Sequence, residues 1–496
     1  MDKFDCVVIG AGAAGLGAAA KLAKAGLKPL VIERHNSPGG SASSFVRGRF
    51  EFETSLHLWI EAQMAPAVRG ELGVTDEICN ITCGNDWAYR DSDGTVRYVD
   101  LPKDYPGIKD ALKKLVPGNE KSVDDLIDIS AEMVGALLPM EGVSQEEINK
   151  MFPHLAEFSQ YTVQQAFEKL GTPKILQDIY TVPWYFEGPS NEKTNFARWA
   201  AVFFVLFTQP TQFPACRTYG VWAELEAIIR QNGGDIWYNT EVSKINVENG
   251  QVTGVETSRR DRIETSILIS GTAPKEIYGD LIDRKQVKDE TFRLHNSLVD
   301  NISFFNIYLG LDVTAQELGF KTWQIFACED RDVNKAMAAS YTLEGPYSYD
   351  ILCYNVAMPD WSPEGTSVIC ISIPMRGVAF EGMSQKEYVQ TKDKITQHAV
   401  KAIEEMLGMD LVSHIEELEV ATAVTLARYN GHRFGSLGYE MSPTNVMPVR
   451  NLVYDQEHYI KGLYLSGQFE NAYGIDNICN GAELGARILE NIKGGK

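Results

Sequence analysis

The chain has 496 residues, 44% of them hydrophobic and 23% charged, the balance of an ordinary globular protein with room for two or three domains. A formal net charge of −21 leaves too little basic surface to grip nucleic-acid phosphates or to dock electrostatically on anionic lipid. The eight cysteines are scattered and read as buried thiols rather than a disulfide framework; Cys79 and Cys83 lack the second pair a zinc site needs, so no metal is expected.

In chain order, the sequence runs directly into a strand pattern with no signal or transit segment, which makes a cytoplasmic location the expectation. Residues 4–9 read as a short apolar strand, 10–15 as a glycine-rich turn, and 16–25 as a helix stopped by Gly26. Residues 28–32 form a second strand closed by Glu33. The turn Gly10-Ala11-Gly12-Ala13-Ala14-Gly15 matches GxGxxG in its required strand–helix context, with an acid at the end of the next strand. Gly10 permits the tight turn, Gly12 lets backbone approach a pyrophosphate, and Gly15 lets helix and sheet pack closely. The N–H groups at Ala13 and Ala14 open the helix toward phosphates, and Glu33 suits a ribose diol.

Residues 81–214 and 290–440 are less regular and rich in aromatics and prolines. Within the first, residues 196–213 are strongly apolar, but Arg198 interrupts them and Gln209-Pro210 ends them. The uninterrupted run falls well short of the roughly 20 residues that span a bilayer, so a buried helix is expected. The wall of a lipid-binding tunnel and a shallow membrane-facing patch are the alternatives. Residues 221–231 have helical spacing. Strands are expected at 235–238, 241–248, 251–258 and 262–269, with Asn249-Gly250 as a hairpin turn. Strands are also expected at 304–309 and 368–373. Residues 462–466 form a last short strand, followed by a glycine-bearing loop and a helix from about residue 480 to 492.

The segment after Glu33 narrows the dinucleotide. Glu33-Arg34, followed shortly by Gly39-Gly40, resembles the flavoprotein pattern, with Ser41 where an arginine is usual. The stretch GGSASSFVRGRFEFETSLHLW, with Phe50-Glu51-Phe52-Glu53 at its centre, resembles the phytoene desaturase, carotenoid isomerase and retinol saturase family. So do the block FPACRTYGVWAELEAIIRQNGGDIWYNTEVSKINVENGQVTGVE, the segment TAVTLARYNGHRFGSLGYE from Thr422, and GLYLSGQFENAYGIDNICNGAELGARIL near the C-terminus.

The resemblance implies an α/β fold: a two-part Rossmann-type FAD-binding domain of the glutathione-reductase kind, with an inserted α+β substrate domain. The flavin domain would comprise residues 1–80, 215–290 and 441–496, and the substrate domain 81–214 and 291–440. The resemblance also implies FAD as cofactor. Arg34, Gly39, Gly40 and Ser41 would lie against it, Val242 would meet the adenine through backbone groups, and Gly467 would approach the pyrophosphate. Gln468 would face the ribityl chain, and Gly474, Ile475 and Ile478 would bring backbone N–H groups and the last helix to the ring.

The activity implied is desaturation, saturation or double-bond isomerisation of an apolar, polyene or lipid-like substrate by hydride exchange with the flavin. An aromatic-rich substrate domain suits such a chain. A flavin amine oxidase is the alternative enzyme, and a lipid-binding carrier on the same fold is the alternative of another class. His57, Tyr473 and Asp476 are the candidates for acid–base work; His57 also reads as a structural histidine and Asp476 as a helix cap. Arg428 and Tyr429 read as exposed. With a single GxGxxG, no dedicated nicotinamide domain is expected, and the electron partner is open. The expected partners are an apolar small molecule and, peripherally, a membrane, with no nucleic acid.

Overall fold

The structure is a computed structural model that describes residues 4–54, 70–74, 78–81, 84–135, 143–209, 211–440, 460–468 and 477–494. Five short strands form a wholly parallel sheet in the order β19-β13-β1-β2-β9. They are β1 (Cys6–Ile9), β2 (Pro29–Ile32), β9 (Asp235–Trp237), β13 (Leu268–Ser270) and β19 (Leu463–Leu465). β1, β2 and β13 are buried at every position, as strands are when both faces of a parallel sheet are covered.

Helix α1 (Ala13–Lys24) connects β1 to β2, and the helix Arg217–Gln231 leads into β9. Both start earlier than the sequence suggests. Gly12 already serves as the N-cap of α1, and Gly220 lies inside the second helix, where a Cβ would come 2.3 Å from Cys216 Sγ. The last helix, Asn477–Lys493, crosses α1 at backbone distance. A Cβ on Gly17 would lie 2.3 Å from the Ile478 carbonyl oxygen, and one on Gly481 would lie 2.0 Å from that of Ala14.

The expected single strand at 262–269 is two strands in different sheets. β12 (Arg262–Glu264) completes a meander with β10 (Val242–Glu248) and β11 (Gln251–Thr257), whereas β13 joins the parallel sheet. Thr265 makes the break: its hydroxyl accepts the Ile267 N–H at 3.1 Å, a local turn that competes with the ladder. The β10–β11 turn has left-handed φ at both Asn249 (51°) and Gly250 (73°), as an Asn-Gly hairpin requires.

The stretches that read as irregular build a seven-stranded sheet, ordered β18-β14-β17-β16-β15-β6-β7. Its strands are β6 (Asn85–Arg90), β7 (Val96–Val99), β14 (Ser303–Leu311), β15 (Gln324–Cys328), β16 (Ser348–Cys353), β17 (Ser367–Met375) and β18 (Ile415–Ala421). β14 and β17 are buried at all nine positions, so neither shows the polar alternation that marks a half-buried strand. One face packs on the helix Gln385–Leu407 through Ile307, Ile371 and Ile403. The other carries two aromatic clusters. One forms with a helical layer that includes Phe196–Thr208. The other forms with the hairpin of β3 (Ser44–Arg47) and β4 (Phe50–Glu53). The hairpin sits flush on the sheet, because a Cβ on Gly310 would meet the Phe50 ring at 2.5 Å.

The apolar segment at 196–213 is the helix Phe196–Thr208 followed by β8 (Thr211–Pro214), which pairs with β5 (Ile78–Ile81). Asn195 caps the helix by accepting the Arg198 N–H at 3.1 Å. Phe196, Trp199, Phe203 and Phe207 are buried on one side, while Val202, Phe204 and Val205 on the other are half-buried. Among the described residues, no helix is long and apolar enough to cross a membrane. The expected boundary at 80/81 falls inside β5, and that at 290/291 inside the helix Asp289–Ser297.

Candidate dinucleotide site

Three adjacent parallel strands end in glycine. Gly10 follows β1 with φ 96°, Gly271 follows β13, and Gly467 follows β19 with φ 99°. Backbone bonds tie these ends together: Gly271 N–H donates to the Ile9 carbonyl at 3.0 Å and Ser466 N–H to that of Ser270 at 2.9 Å. The carboxyl edge of the sheet is therefore a floor without side chains at its centre, the place where open α/β sheets receive ligands. Sequence reasoning found Gly10 and Gly467 but missed Ser270-Gly271. The signal was there: residues 267–271 and 463–467 are both short apolar strands closed by Ser-Gly.

The walls are backbone too. A Cβ on Gly15 would lie 2.2 Å from the Gly10 carbonyl oxygen, so the turn and α1 can meet only through glycine. Gly12 caps α1 with no side-chain hydrogen bond, and no acid stands in the first turn. Among the described residues, the positive end of the helix at Ala13, Ala14 and Gly15 is thus met by no side-chain cap and no acid of its own first turn. Gly39 N–H donates to the Ala11 carbonyl at 2.8 Å, and Gly39 bridges Gly12 in parallel. Gly40 lies along the same loop, where a Cβ would be 3.2 Å from Gly12 Cα. Trp222 pins this second glycine turn, its Nε1 donating to the Ala42 carbonyl at 2.7 Å. Ser41 is exposed, and its carbonyl accepts the Thr54 hydroxyl at 3.0 Å.

Glu33 is buried at 5% exposure. Its Oε2 accepts the Ala11 N–H at 2.7 Å and its Oε1 the His35 N–H at 2.8 Å. Each oxygen keeps a lone pair for a ribose hydroxyl. Thr240 N–H donates to the Glu33 carbonyl at 2.9 Å and Asn239 N–H to that of His35 at 2.8 Å, which brings the start of β10, and buried Val242, beside the end of β2.

Arg34 points elsewhere. Its Nη2 donates to the Tyr429 carbonyl at 2.7 Å, at the C-terminal end of the helix Ala423–Asn430, where a cation is favoured. His35 Nε2 bonds the same carbonyl. The Tyr429 ring is exposed, as expected, but its backbone anchors the residues that follow Glu33. Nearby, burial pushes Glu276 up to about 7 against the pull of Arg34, and burial pushes His432 down to about 3, so it stays neutral.

Two polar atoms at the end of β19, Ser466 Oγ and Gln468 Nε2, are shut off from solvent without a hydrogen-bond partner among the described residues. Ile478 is fully buried where the last helix meets α1. His57, Tyr473, Gly474, Ile475 and Asp476 lie outside the described residues. The structure thus gathers Gly10, Gly12, Ala13, Ala14, Gly15, Glu33, Gly39, Gly40, Gly467 and Gln468 around one edge and turns Arg34 toward the protein.

A family described as an NAD(P)-binding Rossmann-like domain matches residues 8–70. Prolycopene isomerase of Daucus carota is 24% identical over 459 residues, covering 88% of this chain and 72% of its own. All-trans-retinol 13,14-reductase of Rattus norvegicus is 23% identical over 530 residues, covering 97% and 85%. The chain is a homologue of these enzymes. It fits the carotenoid desaturase, carotenoid isomerase and retinol saturase family that its sequence resembles. Among solved structures, an oxidoreductase from Methanosarcina mazei is similar with a TM-score of 0.64 at 15% identity, over 97% of this chain and 99% of that one. A putrescine oxidase bound to putrescine gives 0.67 at 12% identity, over 99% of both. These likenesses show the fold, which carries oxidoreductases of several kinds.

Proposed function

We propose that this chain is an FAD-dependent oxidoreductase acting on carbon–carbon bonds of an apolar, polyene or lipid-like substrate. The observation that carries the reading is the dinucleotide cradle: glycine at three strand ends, a helix N-terminus capped by glycine with no side-chain hydrogen bond, and a buried carboxylate oriented by two backbone N–H groups. The homologous prolycopene isomerase and retinol reductase support the carbon–carbon chemistry. Bound FAD would exchange a hydride with an activated carbon.

The chain's own part is to bind, orient and keep water out. Gly10, Gly12, Gly15, Gly39 and Gly40 would admit the pyrophosphate, Glu33 the adenosine ribose, and Val242 the adenine. Gly467 would approach the pyrophosphate, Gln468 would face the ribityl chain, and Gly474, Ile475 and Ile478 would lie toward the ring. His57, Tyr473 and Asp476 stay as proposed acid–base groups. Residues 81–214 and 291–440 would form the substrate domain, whose aromatic sheet face gives an apolar chain a dry surface. The half-buried side of the helix Phe196–Thr208 is where such a substrate would pass from a membrane.

The test is anaerobic incubation of the FAD-loaded protein, oxidised and reduced, with all-trans-retinol and with a poly-cis carotene, followed by chromatography of the products. A shifted, saturated or isomerised double bond supports the reading. Unchanged polyenes together with turnover of an amine would replace it with an amine oxidase.

A further inference from the structure

The aromatic face of the seven-stranded sheet is not uniformly apolar. Its register sets Asn306 opposite Ser372 and Ser372 opposite Asp350, with Gln324 and Asn85 paired one step along. These five residues are all buried. They form a polar seam between the two aromatic clusters. Phe304, Phe326 and Trp87 lie on one side, and Tyr308, Leu352 and Cys370 on the other.

The seam is incompletely paired. Gln324 Nε2 donates to Asp350 Oδ1 at 2.8 Å, and Asn85 Nδ2 donates to the Leu206 carbonyl at 3.2 Å. Yet Gln324 Oε1, Asn85 Oδ1 and Asn306 Oδ1 have no well-formed hydrogen bond among the described residues. The Tyr185 hydroxyl faces Asp350 and acts on it as a hydrogen-bond donor, which leaves the three amide oxygens as the open groups. Buried polar groups are nearly always satisfied, so such a concentration of open ones points to a guest. The guest has to donate, to fill an amide oxygen such as Gln324 Oε1, and to accept as well. A ketone or an ether would leave the amide oxygens open.

The seam also begins at the cofactor loop. Asn306 Nδ2 and the Tyr308 hydroxyl both donate to the Thr54 carbonyl, at 3.1 and 2.6 Å. Thr54 in turn hydrogen-bonds Ser41, next to the Gly39-Gly40 turn. A guest apolar on its flanks and polar at one point fits this arrangement. We propose that the seam receives the hydroxyl group of an otherwise apolar ligand, with Gln324 and Asp350 as its hydrogen-bond partners.

Asp350 is suited to donate. Tyr185, Tyr354 and Cys370, the titratable groups that face it, carry no charge at neutral pH, and burial lifts its carboxyl to about 7. The proposal rests on the apolar-substrate reading, but its test needs no turnover. All-trans-retinol and the hydrocarbon with hydrogen in place of its hydroxyl are titrated into flavin-free and FAD-loaded protein, followed by tryptophan quenching. The wild type should prefer the alcohol by about tenfold or more, as a site built to hydrogen-bond a hydroxyl does. Gln324→Met and, independently, Asp350→Leu should bring that ratio close to one while circular dichroism shows a folded chain. A wild-type ratio near one would mean that the seam holds only water. A preference that survives both folded variants would place the hydroxyl elsewhere. Either result overturns the proposal and leaves the flavin reading untouched, because flavin content is measured separately in the same samples.

Discussion

Replacing Glu33 by glutamine keeps the shape of the side chain and removes its charge and one acceptor. Both carboxylate oxygens are engaged, by Ala11 N–H at 2.7 Å and His35 N–H at 2.8 Å. The amide can serve only one of these donors and turns its NH2 toward the other. A hydrogen bond to a charged partner contributes about 1.5–3 kcal/mol, and an unfilled buried donor costs a similar amount. At about 1.4 kcal/mol per factor of ten, FAD affinity should fall roughly tenfold to a hundredfold. The two bonds also shape the loop without cofactor, so the flavin-free protein should melt a few degrees lower. The assay is flavin fluorescence titration of the flavin-free Glu33→Gln variant beside a thermal melt. Affinity within twofold of the wild type, with an unchanged melt, would refute the assignment of Glu33 as the organiser of the cradle.

Four further outcomes follow from named contacts. Gly481→Val sets a side chain 2.0 Å from the Ala14 carbonyl, and the crossing of α1 with the last helix should open at about 1–3 kcal/mol or more, seen as a lower melting temperature and weaker FAD retention. Trp222→Phe removes the 2.7 Å bond to Ala42 that fixes the Gly39-Gly40 turn; a loss of about 1 kcal/mol and a severalfold weaker FAD affinity are expected on titration. Asp350 titrates at about 7 in the fold against about 4 unfolded, so the folded state binds this proton more tightly and stability drops as pH rises through that window. Asp350→Asn should therefore raise the melting temperature more at about pH 8 than at about pH 4, and an equal gain at both would contradict the burial argument. His295, stacked on Tyr278 and pushed down to about 3 by burial, stays neutral while the unfolded chain takes up a proton below about 6.5. Stability is lost on that acid side, and His295→Phe should flatten it in pH-dependent melts.

The cradle was legible because it is local. GxGxxG, Glu33 and the Gly39-Gly40 pair sit within one βαβ unit, and their spacing carries their geometry. The third strand end was harder: the Ser-Gly closing shared by 267–271 and 463–467 is local, but its place in the site is set only when β13 is inserted between β1 and β19, a long-range pairing. The strand break at Thr265 was hidden for another reason. A side-chain turn inside an apolar run leaves the hydrophobic pattern intact. In the seven-stranded sheet, β14 and β17 were legible as apolar runs at 304–309 and 368–373, whereas β15 and β16, short and buried at every position, carry no alternation to announce them. Arg34 shows the limit of motif transfer: adjacency to Glu33 suggested a cofactor contact, whereas the end of the helix Ala423–Asn430, far along the chain, draws it away.

Whether a flavin occupies the cradle is read from the absorption spectrum of the purified protein before and after anaerobic reduction, with the released cofactor identified by chromatography. Flavin bands that bleach on reduction are expected, with FAD in the released fraction, either as purified or after reconstitution. A protein that stays colourless after reconstitution and releases no flavin would contradict the flavin reading and leave a lipid-binding protein on the same fold.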